Sequence, residues 1–123
     1  MRFYESESHP YSEVRLCTDG VAYISGVLPY DTDGSIVQDQ ERAPEVVLTE
    51  LAVRLRDSGL SLDNIVKTTV FVTDITWRDV VNRAYLAHFS SPMPARTFVE
   101  VRNLPQNAPI EIEAVAQKAQ PQH

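Results

Sequence analysis

The eight residues from Ile65 to Val72 (Ile-Val-Lys-Thr-Thr-Val-Phe-Val) constrain this chain more than any other segment. Nearly all are β-branched, and two heavy atoms on Cβ crowd a helical turn while packing well on a pleated surface. On both sides of this strand the hydrophobic period changes. Upstream, from about Glu41 to Ser58, Leu48, Leu51, Ala52 and Leu55 recur at i, i+3, i+4 and i+7, which predicts a helix with one apolar face. Pro44 fits only in the first turn of that helix, and Gly59 supplies a left-handed C-terminal cap. Downstream, Trp77, Val80, Val81, Ala84, Tyr85 and Phe89 continue at helical spacing, so a second helix should reach about His88 or Phe89. Thr76 to Asp79 reads as a variant capping box at its start, and Ser90-Ser91-Pro92-Met93-Pro94 ends it.

The flanks complete two similar strand–helix–strand halves. Val14–Thr18 and Val21–Ser25 read as a hairpin around Asp19-Gly20, a pair suited to the positive-φ positions of a tight turn. Pro29 to Gly34 reads as a surface loop. Arg96–Val101 and Ile110–Ala116 are two more strands, separated by a loop with Pro105 and Pro109. The expected fold is a two-layer α+β domain, with two helices packed on one face of a mixed sheet. All 123 residues, 43% of them hydrophobic, form one domain on this reading, with residues 117–123 as a frayed polar tail. No third helix is available for the other sheet face, so association with further copies is the simplest way to cover it.

Composition narrows the chemistry. Seventeen acidic residues against eleven Lys and Arg give a formal charge of −6, an unfavourable balance for neutralising phosphates, so no nucleic acid is expected as a partner. The first residues lack a signal-like apolar run and no segment approaches membrane-spanning length; with a single cysteine, Cys17, a cytoplasmic protein without membrane association is expected. Cys17 itself reads as a small buried hydrophobe. His9, His88 and His123 have no ligand-like spacing, and four glycines form no phosphate loop, so neither a metal nor an organic cofactor is expected. Any chemistry has to run on Arg, Glu, Tyr and backbone groups.

Arg96 begins a strand after Pro94-Ala95. It could be an ordinary solvated cation at a strand edge, or a planar fork for a substrate carboxylate. Glu111 and Glu113 alternate with Ile110 and Ile112, so both carboxylates share one sheet face, either as plain polar surface or as a group that handles a water. Asn82 would ordinarily be a helix-surface residue, and Tyr11 a packed loop aromatic.

Six stretches change these odds together: Pro10-Tyr11-Ser12; Ile24-Ser25-Gly26 followed by Pro29; Ile65 to Val72; Asn82-x-x-Tyr85; Pro94-Ala95-Arg96-Thr97; and Ile110-Glu111-Ile112-Glu113-Ala114. In this order, from about Pro10 to Ala116, they resemble the RidA family, also called YjgF/YER057c/UK114. The resemblance implies a chorismate-mutase-like fold and a homotrimer with its sheets facing inward and sites between subunits. It also implies hydrolysis of reactive enamines and imines, such as 2-aminoacrylate, to 2-keto acids and ammonia without a cofactor. On the matching positions it assigns carboxylate binding to Arg96 and water positioning to Glu111. Substrate contacts fall on Tyr11, Ser25, Gly26 and Asn82. The chain departs from the pattern at Phe98, where well-studied members carry Cys, and at His9, where Gly is usual; Phe98 should narrow the pocket or shift its preference. Two rivals follow: an enzyme for a dedicated pathway intermediate in the same fold, and a non-catalytic trimer that binds a small carboxylate. Ribonuclease activity, also attached to this family, fits the acidic composition least.

Overall fold

A computed structural model describes residues 10–118. Its strands are β1 (Val14–Leu16), β2 (Val21–Val27), β3 (Ile65–Val72), β4 (Ala95–Glu100) and β5 (Ile110–Gln117), and its helices are α1 (Ala43–Asp57) and α2 (Arg78–His88). The strands form one sheet in the order β1-β2-β5-β3-β4, in which β3 and β4 are parallel and every other neighbour pair is antiparallel. This is the expected mixed-sheet α+β architecture. The β-branched run of β3 lies inside the sheet, between β5 and β4, where both of its edges are hydrogen-bonded.

The alternation of β5 divides the sheet into two chemically different faces. Ile110, Ile112, Ala114 and Ala116 are buried beneath the helices, and Val27, Val70 and Val72 join them from β2 and β3. Leu48, Leu51 and Leu55 of α1 and Val81 and Ala84 of α2 close this layer from above. Glu111, Glu113 and Val115 project from the opposite face, which carries no helix among the described residues. No described helix is long and apolar enough to cross a membrane.

Local details follow sequence chemistry, with a few displacements. Pro44 occupies the first turn of α1. Gly59 adopts φ 78°, its amide donates to the Arg56 carbonyl at 3.0 Å, and the Leu60 amide donates to the Leu55 carbonyl at 2.8 Å. That pair of bonds is the Schellman termination, which requires a left-handed residue at this position. In the first hairpin only Gly20 takes positive φ (90°), and the Cys17 amide donates to the Val21 carbonyl, so the turn has three residues rather than two. β1 therefore stops at Leu16, which leaves Cys17 half-buried outside the strand instead of buried within it. Asp74, not Thr76, caps the segment before α2: its carboxylate accepts from the Thr76 amide at 3.0 Å and from the Thr76 hydroxyl at 2.6 Å. Pro29 is fully buried and Tyr30 pairs with Ile36 across a bridge, so the surface loop is shorter than the composition of residues 29–34 suggests. Gln117 ends β5 opposite Val21, and the Lys118 amide donates to Gly20, so the expected tail loses its first residues to the sheet. His9 and the remainder of the tail lie outside the described residues.

Candidate active site

The candidate residues fall into two groups, and the strand registers decide which. Arg96 pairs with Thr68, and Phe98 with Val70, in the parallel β3–β4 ladder. Neighbours in register share a face, and Thr68 and Val70 are fully buried under the helices. Arg96 and Phe98 therefore stand on the helix side of the sheet, on its terminal strand. There the Arg96 guanidinium carbon lies 4.9 Å from the centroid of the Tyr85 ring and 5.2 Å from that of Phe98. Two aromatic rings at this range attract the cation electrostatically and restrict the plane of its fork. The Tyr85 ring is fixed in turn, because its hydroxyl shares a hydrogen bond of 2.7 Å with the buried Thr68 hydroxyl. Burial raises the pKa of this phenol, so it remains neutral beside the cation. Asn82 lies half-buried on α2, one turn before Tyr85. In the sequence Tyr85 is a helix-face aromatic and half of the Asn82-x-x-Tyr85 pair, with no site role of its own; its place beneath the arginine depends on a strand–helix contact that spacing alone does not reveal.

The second group gathers at β2 and β5. The β2–β5 register shifts between Ile24 and Val27, so Ser25 and Gly26 form a bulge. Glu111 lies directly against Gly26: a Cβ built on that glycine would fall 2.2 Å from the Glu111 Oε2 and 2.7 Å from its Cδ. The Ser25 amide donates to the Glu13 carbonyl at 2.9 Å and its hydroxyl to the Ser12 carbonyl at 2.6 Å. These bonds tether the segment carrying Tyr11 to the bulge. Tyr11 and Ser25 border an open cleft of about 520 Å³, together with Arg15, Tyr23 and Glu113. Burial raises the pKa of Glu111, repulsion from Glu113 raises it further, and the positive charge of Arg54 opposes both.

Arg54 is the residue that the sequence reading passed over. It lies on α1 three positions after Leu51 and is 4% exposed, with Nη1 donating to the Ser25 carbonyl at 3.2 Å and lying 3.5 Å from the Gly26 carbonyl. An arginine on the edge of an apolar helix stripe was its only signal in the sequence.

Arg96 and Glu111 do not converge within one chain. β3 separates their strands, and the two side chains project from opposite faces of the sheet. Among the described residues no group of three His, Cys, Asp or Glu side chains could hold a metal ion.

The close approach at Gly26 gives a specific expectation. The three atoms nearest such a Cβ all belong to the Glu111 side chain, whose far end can move. Gly26→Ala should therefore cost little stability, within about 1 kcal/mol, while displacing the carboxylate. A variant that melts like the parent but loses most of its turnover is the expected result. Full turnover in a folded variant would show that the position of this carboxylate is not critical.

Residues 5–118 match the family model described as Endoribonuclease L-PSP, and the chain belongs to this family, which includes RidA. It is 35% identical over 109 residues to the Arabidopsis thaliana protein Reactive Intermediate Deaminase A, chloroplastic, covering 87% of this chain and 58% of that longer protein. It is 36% identical to the human 2-iminobutanoate/2-iminopropanoate deaminase over 113 residues, covering 87% and 79% of the two chains. Among solved structures, one from Thermotoga maritima superposes with a TM-score of 0.86 at 39% identity, covering 93% of this chain and 91% of that one. Another, Escherichia coli TdcF with bound serine, superposes with a TM-score of 0.81 at 28% identity, covering 90% of each chain.

Proposed function

We propose that the protein is a hydrolytic deaminase of small enamine and imine carboxylates of the 2-aminoacrylate class, working as a homotrimer with each site shared between subunits. The observation that carries this reading is the arginine fork on the terminal strand, lying over the rings of both Tyr85 and Phe98 at 4.9 and 5.2 Å. That is a site for a planar carboxylate, placed where a second copy can reach it. The names of the Arabidopsis and human relatives and the serine bound to TdcF support the same substrate class. Two half-sites on opposite faces of one sheet support assembly, because only a neighbouring subunit could bring an Arg96 to a Glu111.

The chemistry needs orientation more than strong activation. The enamine tautomerises to an imine, whose carbon is electrophilic. Arg96 fixes the carboxylate by paired charge-assisted hydrogen bonds, with Tyr85 and Phe98 holding the guanidinium plane. Glu111 orients a water for attack on the imine carbon and takes its proton. That proton passes to the imine nitrogen, giving a carbinolamine; the carbinolamine's hydroxyl proton then moves to the amino group as the C=O bond forms and the C–N bond breaks, so one water is consumed for each 2-keto acid and ammonia released. Asn82, Ser25 and Tyr11 bound the substrate space on this reading. Phe98 favours one variant of it: a ring 5.2 Å from the guanidinium reduces the room beside the bound carboxylate, which suits a dedicated intermediate of defined side chain.

The test is to generate 2-aminoacrylate with a pyridoxal-phosphate-dependent serine dehydratase and follow keto-acid release with and without the protein. Release well above the spontaneous rate is expected. Unaccelerated release in the presence of folded protein, across a panel of imine side chains, would leave a non-catalytic carboxylate binder.

A further inference from the structure

We infer that Arg54 is a positioning residue for Glu111, acting through the Ser25–Gly26 bulge and through its own charge. The inference rests on the deaminase reading only in taking Glu111 as the group that orients water. Taking a guanidinium out of water is expensive, and an apolar side chain of similar volume would fill the same space at lower cost. Arg54 is nevertheless an arginine at 4% exposure, and it donates to the carbonyls of Ser25 and Gly26. A bulge sets two residues against one, so its carbonyls leave the regular ladder and need donors from elsewhere. Arg54 supplies such a donor from α1. The backbone it holds is the surface against which the Glu111 carboxylate rests, since Gly26 leaves no space between them. One helix residue thus fixes the floor beneath the reacting carboxylate.

Its charge acts on the same group. On β5 the neighbouring charge is Glu113, which repels the ionised form of Glu111, and from α1 it is Arg54, which favours it. Phe71, paired with Glu111 on β3, and Ser25 and Gly26 on β2 carry no charge. Burial weakens the charged form of Arg54, and the negative charges of Glu13 and Glu50, then the phenols of Tyr11 and Tyr30, offset that effect.

The experiment titrates Glu111 directly, by carbon NMR of protein labelled at glutamate side-chain carboxyls, with the resonance identified by its loss in Glu111→Gln. Arg54→Gln retains a donor for the bulge but no charge, and should move the Glu111 midpoint upward by about one pH unit. Arg54→Lys retains the charge on a shorter, unforked group; it should leave the midpoint near its original place while lowering kcat about threefold to tenfold, with KM little changed. An unmoved midpoint in Arg54→Gln, even with a lower melting temperature, would reduce Arg54 to a packing residue and overturn the inference. If Arg54→Gln fails to fold, an Arg54→Lys protein with unaltered kcat would overturn it as well. The titration needs no substrate, so failure of the deaminase reading appears separately, as an Arg54-dependent carboxylate in a protein without turnover.

Discussion

Replacing Arg96 with alanine is expected to lower kcat/KM for a carboxylate-bearing imine by about 10² to 10⁴, with the fold retained. The magnitude follows from two charge-assisted hydrogen bonds to the substrate carboxylate at about 1.5–3 kcal/mol each. Arg96 lies on the terminal strand and is only half-buried, so truncation removes a charge and two ring contacts without opening the core. Arg96→Lys should recover little. Lysine keeps the charge but cannot present two parallel donors, nor can its ammonium stack as a plane on the Tyr85 and Phe98 rings. Steady-state kinetics on the coupled assay decide the matter, and an alanine variant within about threefold of the parent would remove Arg96 from the site.

The second large effect concerns Glu111. Glu111→Gln preserves shape and removes the proton acceptor, so kcat should fall about 10²- to 10³-fold with KM nearly unchanged. A pH profile adds an independent check. Burial, then Glu113, raise the folded-state pKa of this carboxylate, and Arg54 only partly restores it. The ionised form that the proposed mechanism needs is therefore lost at higher pH than for an ordinary carboxylate, and the acid limb of kcat/KM should be displaced upward from the usual carboxylate range. The sign for stability is opposite to that of a salt-bridged acid. A raised folded-state pKa means that the folded protein holds the proton more tightly than the unfolded chain, so ionised Glu111 opposes folding at neutral pH. Its contribution becomes more favourable as pH falls through that raised value. Glu111→Gln should consequently melt no lower than the parent at pH 7. A variant that loses both turnover and stability would point to a structural role.

Periodicity and turn chemistry were enough for the elements of this fold, because each follows from local rules. The β-branched run of β3, the Leu48–Leu55 stripe and the Gly59 cap all act over a few residues. Displacements arose where a neighbouring residue competed for the same role. Asp74 took the capping position from Thr76, and Gly20 alone adopted the positive φ offered to Asp19-Gly20. The site was less legible for a related reason. Alternation placed Glu111 and Glu113 together, but no spacing rule states that Arg96 faces the helices while Glu111 faces away. That fact lives in the parallel register of β3 with β4. Nor does spacing announce Arg54, whose importance comes from a bulge nearly thirty residues earlier in the chain. Tyr85 was visible as core, and its second task as a platform for a cation emerged only with the third dimension.

The contact between Gly26 and Glu111 also governs how this protein can change. Any residue other than glycine at 26 meets the glutamate side chain, so a mutation there is expected to lower activity while position 111 remains as long as it is. Shortening position 111 first to aspartate would remove the Cδ and Oε2 that lie nearest, yet on the proposed mechanism it withdraws the carboxylate from its working place. On the proposed mechanism each single step is expected to lead downhill in activity, and only the pair taken together could reach a new working arrangement. The two positions are therefore joined by epistasis rather than by catalysis alone, and a drifting lineage would keep both or abandon both.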